Sequence, residues 1–195
     1  NPHFLFNALN SIDAMVQDGD KFNATTYLNK FAKLIRNVLD GSRQKSVPLR
    51  QDIESLSLYL ELESMRHDNS FSWTIDISDE LLNMDIKIPS LIIQPYVENA
   101  ILHGIRHLQE RKGMIKIGYS ISGNNLMIAI SDNGKGRLYT QTLDKTKANS
   151  YGMAISQSRI EHYNYLRKGS INIINLTDEE GKALGTRVEV LLPVT

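Results

Sequence analysis

Two polar side chains at ligand-binding spacing interrupt the apolar pattern of residues 92–104, which read Ile-Ile-Gln-Pro-Tyr-Val-Glu-Asn-Ala-Ile-Leu-His-Gly. Asn99 and His103 are one helical turn apart and would share an edge of a helix. An Asn amide oxygen is a hard, neutral ligand for a magnesium ion that also binds phosphate oxygens and water, and a His one turn later can reach the same anion. The spacing favours a nucleotide-binding helix, whereas a surface helix with two hydrated side chains is the simpler alternative.

A second group of polar residues follows the apolar run 126–130, which predicts a buried strand. The next residues are Ser-Asp-Asn-Gly-Lys-Gly at 131–136. Asp132 offers a carboxylate that can accept a hydrogen bond from an exocyclic amine such as that of adenine. Gly134 and Gly136 allow the backbone to approach a ligand closely. Together these residues make a second candidate site for a nucleotide.

Both groups need a scaffold of helices and strands that brings them together. Apolar patterning predicts strands at 71–77, 85–88, 115–121, 126–130, 171–176 and 186–192. Helical periodicity predicts helices at 50–66, 92–104 and 153–166. The helix that contains Pro95 is either kinked there or begins just before it. Residues 137–150 are polar and aperiodic, and we expect them to form a lid over bound nucleotide.

The first 41 residues favour a pair of helices. One face of the first helix would carry Phe4, Leu5, Ala8, Leu9 and Ile12, and another edge would carry His3, Asn7 and Asn10. A second periodic segment spans 27–39 and ends at Asp-Gly-Ser. Two helices alone bury too little apolar surface to be stable, and this pair is apolar over a wide arc. We therefore expect a homodimer with a four-helix bundle, followed by a polar, Pro-containing linker at 42–49.

Composition argues against several classes of protein. The chain has 22 basic and 22 acidic side chains, so no net field favours nucleic acid or an anionic membrane. It has no cysteine, which excludes disulfides and thiolate metal sites and fits a reducing compartment. No apolar run reaches the roughly 20 residues that span a bilayer. Because the sequence lacks an initiating Met and starts inside a motif, we expect any membrane anchor upstream of it.

Four segments, in this order and spacing, resemble the boxes of the GHKL ATP-binding domain, which histidine kinases, gyrase, a heat-shock chaperone and MutL share. Residues 92–104 resemble its asparagine box. Its two glycine boxes are matched by 131–136 and by Ser-Tyr-Gly-Met at 150–153, and its closing strand by Gly-Thr-Arg-Val-Glu-Val at 185–190. The resemblance implies an α/β sandwich domain that binds ATP and Mg²⁺.

The same resemblance implies a role for individual residues of the nucleotide site. Asn99 would hold the magnesium ion, and His103 would assist at the phosphates. Asp132, together with Thr186 and an ordered water, would bind adenine. Gly152, like the glycines of the earlier box, would allow the backbone to approach the nucleotide closely.

The opening residues, Asn-Pro-His-Phe-Leu-Phe-Asn at 1–7, resemble the phosphoacceptor motif of the LytS- and YesM-type sensor histidine kinases. Tyr-Leu-Glu-Leu-Glu-Ser-Met-Arg at 59–66 is similar to a further segment of that family. The resemblance implies autophosphorylation of His3 from ATP and transfer of the phosphoryl group to an Asp in the receiver domain of a response regulator. It also implies the cytoplasmic region of an inner- or plasma-membrane sensor protein.

Some residues near the phosphoacceptor leave their roles open. Conventional histidine kinases place an acid directly after the phosphoacceptor, where this chain has Phe4, so the identity of any base is open. Glu98 is the nearest candidate base by analogy, or it is structural. Asn7, one turn after His3, matches a position that orients water for dephosphorylation of the partner in other histidine kinases, or it is a plain helix-face residue.

The predicted architecture is α+β, with a helical dimerisation and phosphoacceptor segment at 1–45 and an ATP-binding catalytic domain at 46–195. The predicted function is that of an ATP-dependent protein-histidine kinase in two-component signal transduction. One alternative is a nucleotide-switched ATPase of the same fold, which would use a Glu four residues before the Asn, where this chain has Pro95. Another is a degenerate module that dimerises and binds ATP without transferring phosphate.

Overall fold

The computed structural model of the protein describes residues 2–106, 108, 111–136 and 169–194, with side chains from Phe4 onward. The predicted helix at 153–166, the predicted lid at 137–150 and Gly152 lie outside the described residues. The described ranges include the predicted nucleotide helix, the Asp132 loop and all six predicted strands. Within them, no helix is both long enough and apolar enough to cross a membrane.

The chain opens with two packed helices, α1 (Pro2–Gln17) and α2 (Lys21–Ser42). The turn between them contains Gly19, whose φ of 76° costs glycine little. Asp20 begins α2 by accepting a hydrogen bond from the backbone N–H of Asn23 at 3.1 Å, which satisfies one free donor of the helix start. The two predicted helices, and the predicted stop of the second, are thus confirmed.

The apolar face predicted for α1 is divided in the structure. Phe4 and Ala8 are buried, whereas Leu5 and Leu9 are 40% and 55% exposed. The neighbours of α1 are α2 and, at a few positions, α3 (Leu49–Arg66). These two helices cover only one side of a wide apolar arc, so the other side faces solvent in the single chain.

The segment predicted as a linker, 42–49, is a linker only in its first half. Its second half forms β1 (Val47–Pro48), which pairs antiparallel with β3 (Lys87–Ile88). Val47 and the first residue of α3, Leu49, are buried. Because these apolar side chains anchor the segment, only residues 43–46 remain as an irregular connection between α2 and the rest of the chain.

A five-stranded mixed sheet forms the second layer of the structure. Its strands are β2 (Phe71–Asp76), β4 (Gly113–Ser122), β5 (Asn125–Asp132), β6 (Ser170–Thr177) and β7 (Ala183–Pro193). They lie in the order β2-β4-β5-β7-β6, with β2 and β4 parallel and the other neighbours antiparallel. The predicted strands are confirmed, and Gly123, with a φ of 60°, makes the predicted turn between β4 and β5.

One face of the sheet packs against helices to form the core. The core side chains of the strands include Ile115, Ile117, Ile128, Ile130 and Val190. Those of the helices include Leu60 and Leu62 of α3 and Val97 of α5 (Gln94–Asn99). The crossover from β2 to the parallel β4 contains α4 (Asp79–Asn83), β3 and α5. This connection carries α5 across the buried face of the sheet.

The start of α5 is fixed by contacts with α3. Pro95 lies in the first turn, where its missing N–H costs no helical hydrogen bond, so α5 begins just before it rather than kinking. Leu91, shortly before α5, has a φ of 60°, a conformation that costs a non-glycine residue about 1–3 kcal/mol. The buried carboxyl of Asp52 in α3 accepts the Leu91 N–H, while burial raises the pKa of Asp52 to about 7.

Candidate functional site

The helix that carries Asn99 and His103 changes its winding at Asn99. The α-helical residues of α5 are followed by a π-helical turn (Ala100–Ile105), in which the N–H of Arg106 donates to the carbonyl oxygen of Ile101 at 3.0 Å. Such turns occur often at functional sites. Ala100, Ile101, Gly104 and Ile105 are buried, whereas Asn99 and His103 are half-buried. The π-helical turn therefore leaves both polar side chains on its more accessible side.

Asp132 ends β5 as a buried carboxylate held by backbone N–H groups. The N–H of Gly134 donates to its Oδ1 at 2.8 Å, and the N–H of Thr186, its partner on β7, also donates to the carboxylate. Burial raises the pKa of Asp132 to about 6, and the two hydrogen bonds oppose that rise. At pH 7 the carboxylate is therefore ionised, although little of it reaches solvent.

The π-helical turn and the Asp132 loop touch through glycine backbone. A Cβ atom on Gly104 would lie 2.7 Å from Asp132 Oδ1, and one on Gly134 would lie 2.3 Å from the Cα of Gly104. The N–H of Lys135 donates to the carbonyl oxygen of Gly104 at 3.2 Å. This contact brings the turn that carries His103 directly against Asp132, so the two predicted groups of polar residues lie on adjacent elements.

Gly104 and Gly185 belong to the site, although the sequence did not single them out as site residues. Gly185 has a φ of 145°, and a Cβ atom on it would lie 1.9 Å from the carbonyl oxygen of Asp132. Gly134 and Gly136 were expected to allow close approach of a ligand, and the structure also places the backbone of Gly104 directly beside Gly134. Gly136, with a φ of 74°, would place a Cβ 3.0 Å from that of Ala183. The sequence feature that could have indicated Gly104 is its position directly after the candidate site residue His103.

Arg111 and Asn133 brace the loop from its outer side. The Arg111 guanidinium donates to the carbonyl oxygens of Asn133 and Gly134 at 2.7 and 3.3 Å. The Asn133 side chain accepts the N–H of Met114 at 2.7 Å and donates to the carbonyl oxygen of Lys112 at 3.0 Å. These four hydrogen bonds hold the loop in shape through protein contacts alone. Sequence reasoning missed both residues, because neither lies at a recognisable spacing.

The remaining predicted site residues lie on two helices. Glu98, next to Asn99 on α5, accepts a hydrogen bond from the Gln94 side chain at 3.0 Å. His3 and Asn7 lie one turn apart on α1, and the carbonyl oxygen of Asn7 accepts the Ser11 hydroxyl at 3.0 Å. The structure thus places Gly104, which follows His103, against Asp132 and Gly134, and it pairs Asp132 with Thr186. Asn99 lies on the same helical segment, five residues before Gly104, and Gly136 lies beside Ala183.

The described residues of the candidate site could hold a magnesium ion only if phosphate and water supply most of its ligands. Among the described residues, no three or more His, Asp or Glu side chains are grouped closely enough to hold a metal ion. Magnesium can, however, take most of its ligands from phosphate and water and only one or two from protein. The half-buried Asn99 offers one amide oxygen of that kind. The donor set therefore fits a magnesium ion that arrives with a nucleotide.

Comparison with solved structures defines the class of fold. The mycobacterial sensor histidine kinase MprB superposes with a TM-score of 0.53 at 13% identity, covering 76% of this chain and 96% of that one. The Acinetobacter baumannii histidine kinase AdeS superposes with a TM-score of 0.52 at 14% identity, covering 99% and 98%. The fold is that of histidine kinases, with a helical N-terminal region and a GHKL-type α/β domain, as the sequence predicted.

Sequence comparison then identifies the family. Residues 1–71 match the family model described as histidine kinase. The sensor protein LytS of Oceanobacillus iheyensis is 37% identical over 137 residues, which are 70% of this chain and 23% of that protein. The sensor histidine kinase YpdA of Escherichia coli is 30% identical over 163 residues, 83% of this chain and 28% of that protein. The chain belongs to the LytS-type branch of the histidine kinase family and spans less than a third of either relative.

The buried carboxylate of Asp132 generates a first prediction. Asp132→Asn should lower the affinity for ATP by roughly tenfold and reduce the preference for ATP over GTP, because charge-assisted hydrogen bonds are about twice as strong as neutral ones. The amide oxygen of Asn can still accept the Gly134 N–H, but Asn has one acceptor oxygen instead of two, so thermal unfolding checks that the loop keeps its shape. Titrations with ATP and GTP measure both affinities. An unchanged ATP affinity would remove Asp132 from base recognition.

The pH dependence of ATP binding is a control for the expected role of Asp132 in base recognition. Because the pKa of Asp132 is raised to about 6, the carboxylate takes up a proton as the pH falls from 7 to 5, and the wild type should lose ATP affinity over that range. Asp132→Asn should lose less ATP affinity over the same pH range, because its amide does not titrate there. Comparison of the two proteins at each pH cancels the protonation of the nucleotide's own phosphates.

The glycine contact generates a second prediction. Gly104→Ala should lower ATP affinity by roughly 5- to 150-fold, because the added methyl overlaps the Asp132 carboxylate, and overpacking of this kind typically costs about 1–3 kcal/mol. Gly118→Ala is the matched control, since nothing lies within 4 Å of a Cβ atom at Gly118 in β4. Titration calorimetry with ATP measures the affinities, and thermal unfolding checks the fold. Equal affinities for the two variants would contradict the prediction.

Proposed function

We propose that the protein is an ATP-dependent sensor histidine kinase that phosphorylates itself on His3 and passes the phosphoryl group to an Asp of a response regulator. The observation that carries the proposal is the contact of Gly104 with Asp132, which places a polar helix edge beside a buried carboxylate. The family membership supports the same reading, and the histidine kinase fold implies the use of ATP.

In this proposal two elements of the site bind different parts of the nucleotide. Asp132, with Thr186 and an ordered water, binds the adenine. Asn99 on the helix would hold a magnesium ion, which would supply positive charge to offset that of the phosphates. His103, one turn further, lies at the phosphates. Gly152, in the later glycine box, lets the backbone approach the nucleotide.

His3 supplies the nucleophile of the reaction. A ring nitrogen forms a bond to the γ-phosphorus, the bond from that phosphorus to the bridging oxygen breaks, ADP leaves, and the ring gives up a proton. A histidine has a reference pKa of about 6.5, so most of it is neutral and nucleophilic at pH 7. The phosphoryl group then passes from the ring nitrogen to the receiver aspartate, and the imidazole regains a proton.

Two further residues receive roles in the proposal. Glu98, oriented by Gln94 and adjacent to Asn99, is the candidate base for the proton that His3 releases. Asn7, one turn after His3 on α1, is the candidate for orienting water in the dephosphorylation of the response regulator. The switched-ATPase alternative is not favoured, because Pro95 occupies the position of its hydrolytic Glu and has no carboxylate.

The protein acts in this proposal as a homodimer with two functional segments. Residues 1–45 form the dimerisation and phosphoacceptor segment, and residues 46–195 form the catalytic domain. Many large apolar side chains of α1 and α2 are exposed in the single chain, namely Leu5, Phe6, Leu9, Val16, Phe22, Leu28 and Leu39. A second copy would cover them in a four-helix bundle. Attachment to a membrane would come through segments upstream, which would leave this region in the cytoplasm.

The kinase proposal generates a third prediction. With γ-labelled ATP and magnesium, the wild type should acquire acid-labile, base-stable phosphate, and His3→Gln should acquire none while binding ATP as before. Asn99→Ala should also lose the label, because it disturbs the magnesium ion. Peptide mapping locates the phosphate. A variant of another histidine, His67→Gln, serves as the control and should keep the label.

Three outcomes separate the candidate functions. A label that depends on His3 supports the kinase. A switched ATPase would release phosphate at the same rate after His3 is replaced. A degenerate module would bind ATP but show neither label nor turnover, and that result would refute the kinase proposal.

The exposed apolar side chains generate a fourth prediction. The chain should be dimeric at tens of micromolar, because typical dimers have dissociation constants of roughly micromolar or lower. Leu9→Lys should produce a monomer, since it places a charge on the exposed face of α1. Ile121→Lys changes a similarly exposed residue of β4 and should leave the dimer intact. Light scattering measures the mass. A monomeric wild type, or a dimeric Leu9→Lys, would contradict the bundle.

A further inference from the structure

Phe4, the residue that follows His3, is an aromatic anchor of α1. Its ring is buried and lies between two other rings, with centroids 6.0 Å from Phe31 of α2 and 5.3 Å from Tyr59 of α3. The ring planes are tilted by 45° and 49°, within the range of favourable aromatic pairs. The position where conventional histidine kinases carry an acid is thus used here to attach α1 to α3, the first helix of the catalytic region.

Tyr59 connects this anchor to the helix of the nucleotide site. The Tyr59 ring is buried, and burial raises the pKa of its hydroxyl, with further contributions from the negative charges of Glu63 and Glu98. The Tyr59 hydroxyl therefore lies within electrostatic range of Glu98, which directly precedes Asn99 on α5. The Tyr59 ring packs against Phe4, the neighbour of His3, and the Tyr59 hydroxyl lies in the field of Glu98, the neighbour of Asn99.

Glu63 and Arg66 support Tyr59 from within the same helix. The two residues form an ion pair, and the Glu63 side chain is nearly fully buried. Tyr27 of α2 lies in the field of both, and it is fully buried. Within the segment from Tyr59 to Arg66, which resembles a family motif without an assigned role, Tyr59 thus contacts α1, while Leu60 and Leu62 belong to the core.

We propose that Tyr59 is a positioning residue, whose ring receives Phe4 and thereby sets the place of His3 relative to the nucleotide helix. This inference rests on the proposed function, because it concerns the step from ATP to His3. The α-carbons of His3 and Phe4 are about 3.8 Å apart, so fixing the ring of Phe4 restricts the backbone that carries the nucleophile. Phosphoryl transfer depends chiefly on such alignment, and a displacement of about 1 Å can cost roughly 100-fold in rate.

The test compares rates of phosphohistidine formation in the whole chain with those of variants of the pair. Phe4→Ala should lower the rate at saturating ATP by roughly 10- to 100-fold, while the ATP concentration at half-maximal rate and the ATP affinity stay within about twofold. Tyr59→Phe keeps the ring and should remain close to the wild type. Phe4→Leu keeps apolar volume without a ring and replaces Phe4→Ala if circular dichroism shows that the latter loses helix.

A double-variant cycle separates this contact from general damage to the fold. Phe4→Ala with Tyr59→Ala should be no slower than the slower single variant, because both remove the same contact. Independent multiplication of the two effects would contradict the proposal. So would an equal loss of ATP affinity in Phe4→Ala, or a rate that is unchanged or increased, since an increase would mean that the contact restrains His3.

The same measurements distinguish the two levels of inference. A wild type that binds ATP but forms no phosphohistidine would refute the proposed function and this inference with it. A labelled wild type together with an equally labelled Phe4→Ala would refute the positioning role of Tyr59 alone.

Discussion

The contact between Gly104 and the Asp132 loop is the constraint on which the candidate site depends. It joins a helix that lies across the sheet to the end of a central strand, at a distance that no side chain larger than hydrogen permits. Three elements meet there, because Gly185 of β7 also approaches the backbone of Asp132. Glycine loses more conformational freedom on folding than other residues. That cost is offset here by backbone hydrogen bonds from Gly134, Thr186 and Lys135.

The two buried aspartates show how hydrogen bonding adjusts the charge of a buried acid. Burial raises the pKa of both. Asp132 accepts two backbone N–H groups, which oppose the rise of its pKa, and Asp52 accepts one, from Leu91, which opposes the rise of its own pKa. Asp132 lies at the candidate site, whereas Asp52 accepts the N–H of Leu91 and so holds the strained turn that leads into α5.

Sequence patterns predicted the parts of the fold that depend on local periodicity. The alternation in β4 and β5 and the turn at Gly123 followed from rules of short range, whereas Pro95 left open a kink or a helix start, and the structure shows the start. The π-helical turn did not follow from such rules, because its apolar residues fit a 3.6-residue period equally well. The hydrogen bonds of Arg111 were not predicted, because they join residues far apart in sequence. The two-residue strand at Val47 was not predicted either, because it is too short to show an alternating pattern. Sequence motifs indicated the candidate site residues, but only the folded structure shows which residues they contact.

The attachment of the helical segment to the catalytic region depends on apolar burial more than on charge. Two ion pairs join α2 to α3, Lys30 with Glu61 and Lys33 with Glu54, but all four side chains are partly exposed, and such pairs contribute about 0–1 kcal/mol each. Full burial of an aromatic side chain such as Phe4 contributes roughly 1.5–3 kcal/mol. A ligand or upstream segment that favours a different arrangement by only a few kcal/mol could therefore shift the population between docked and undocked helices. In the proposed function this segment meets both ATP and a receiver domain, and an attachment of this limited strength is compatible with both contacts.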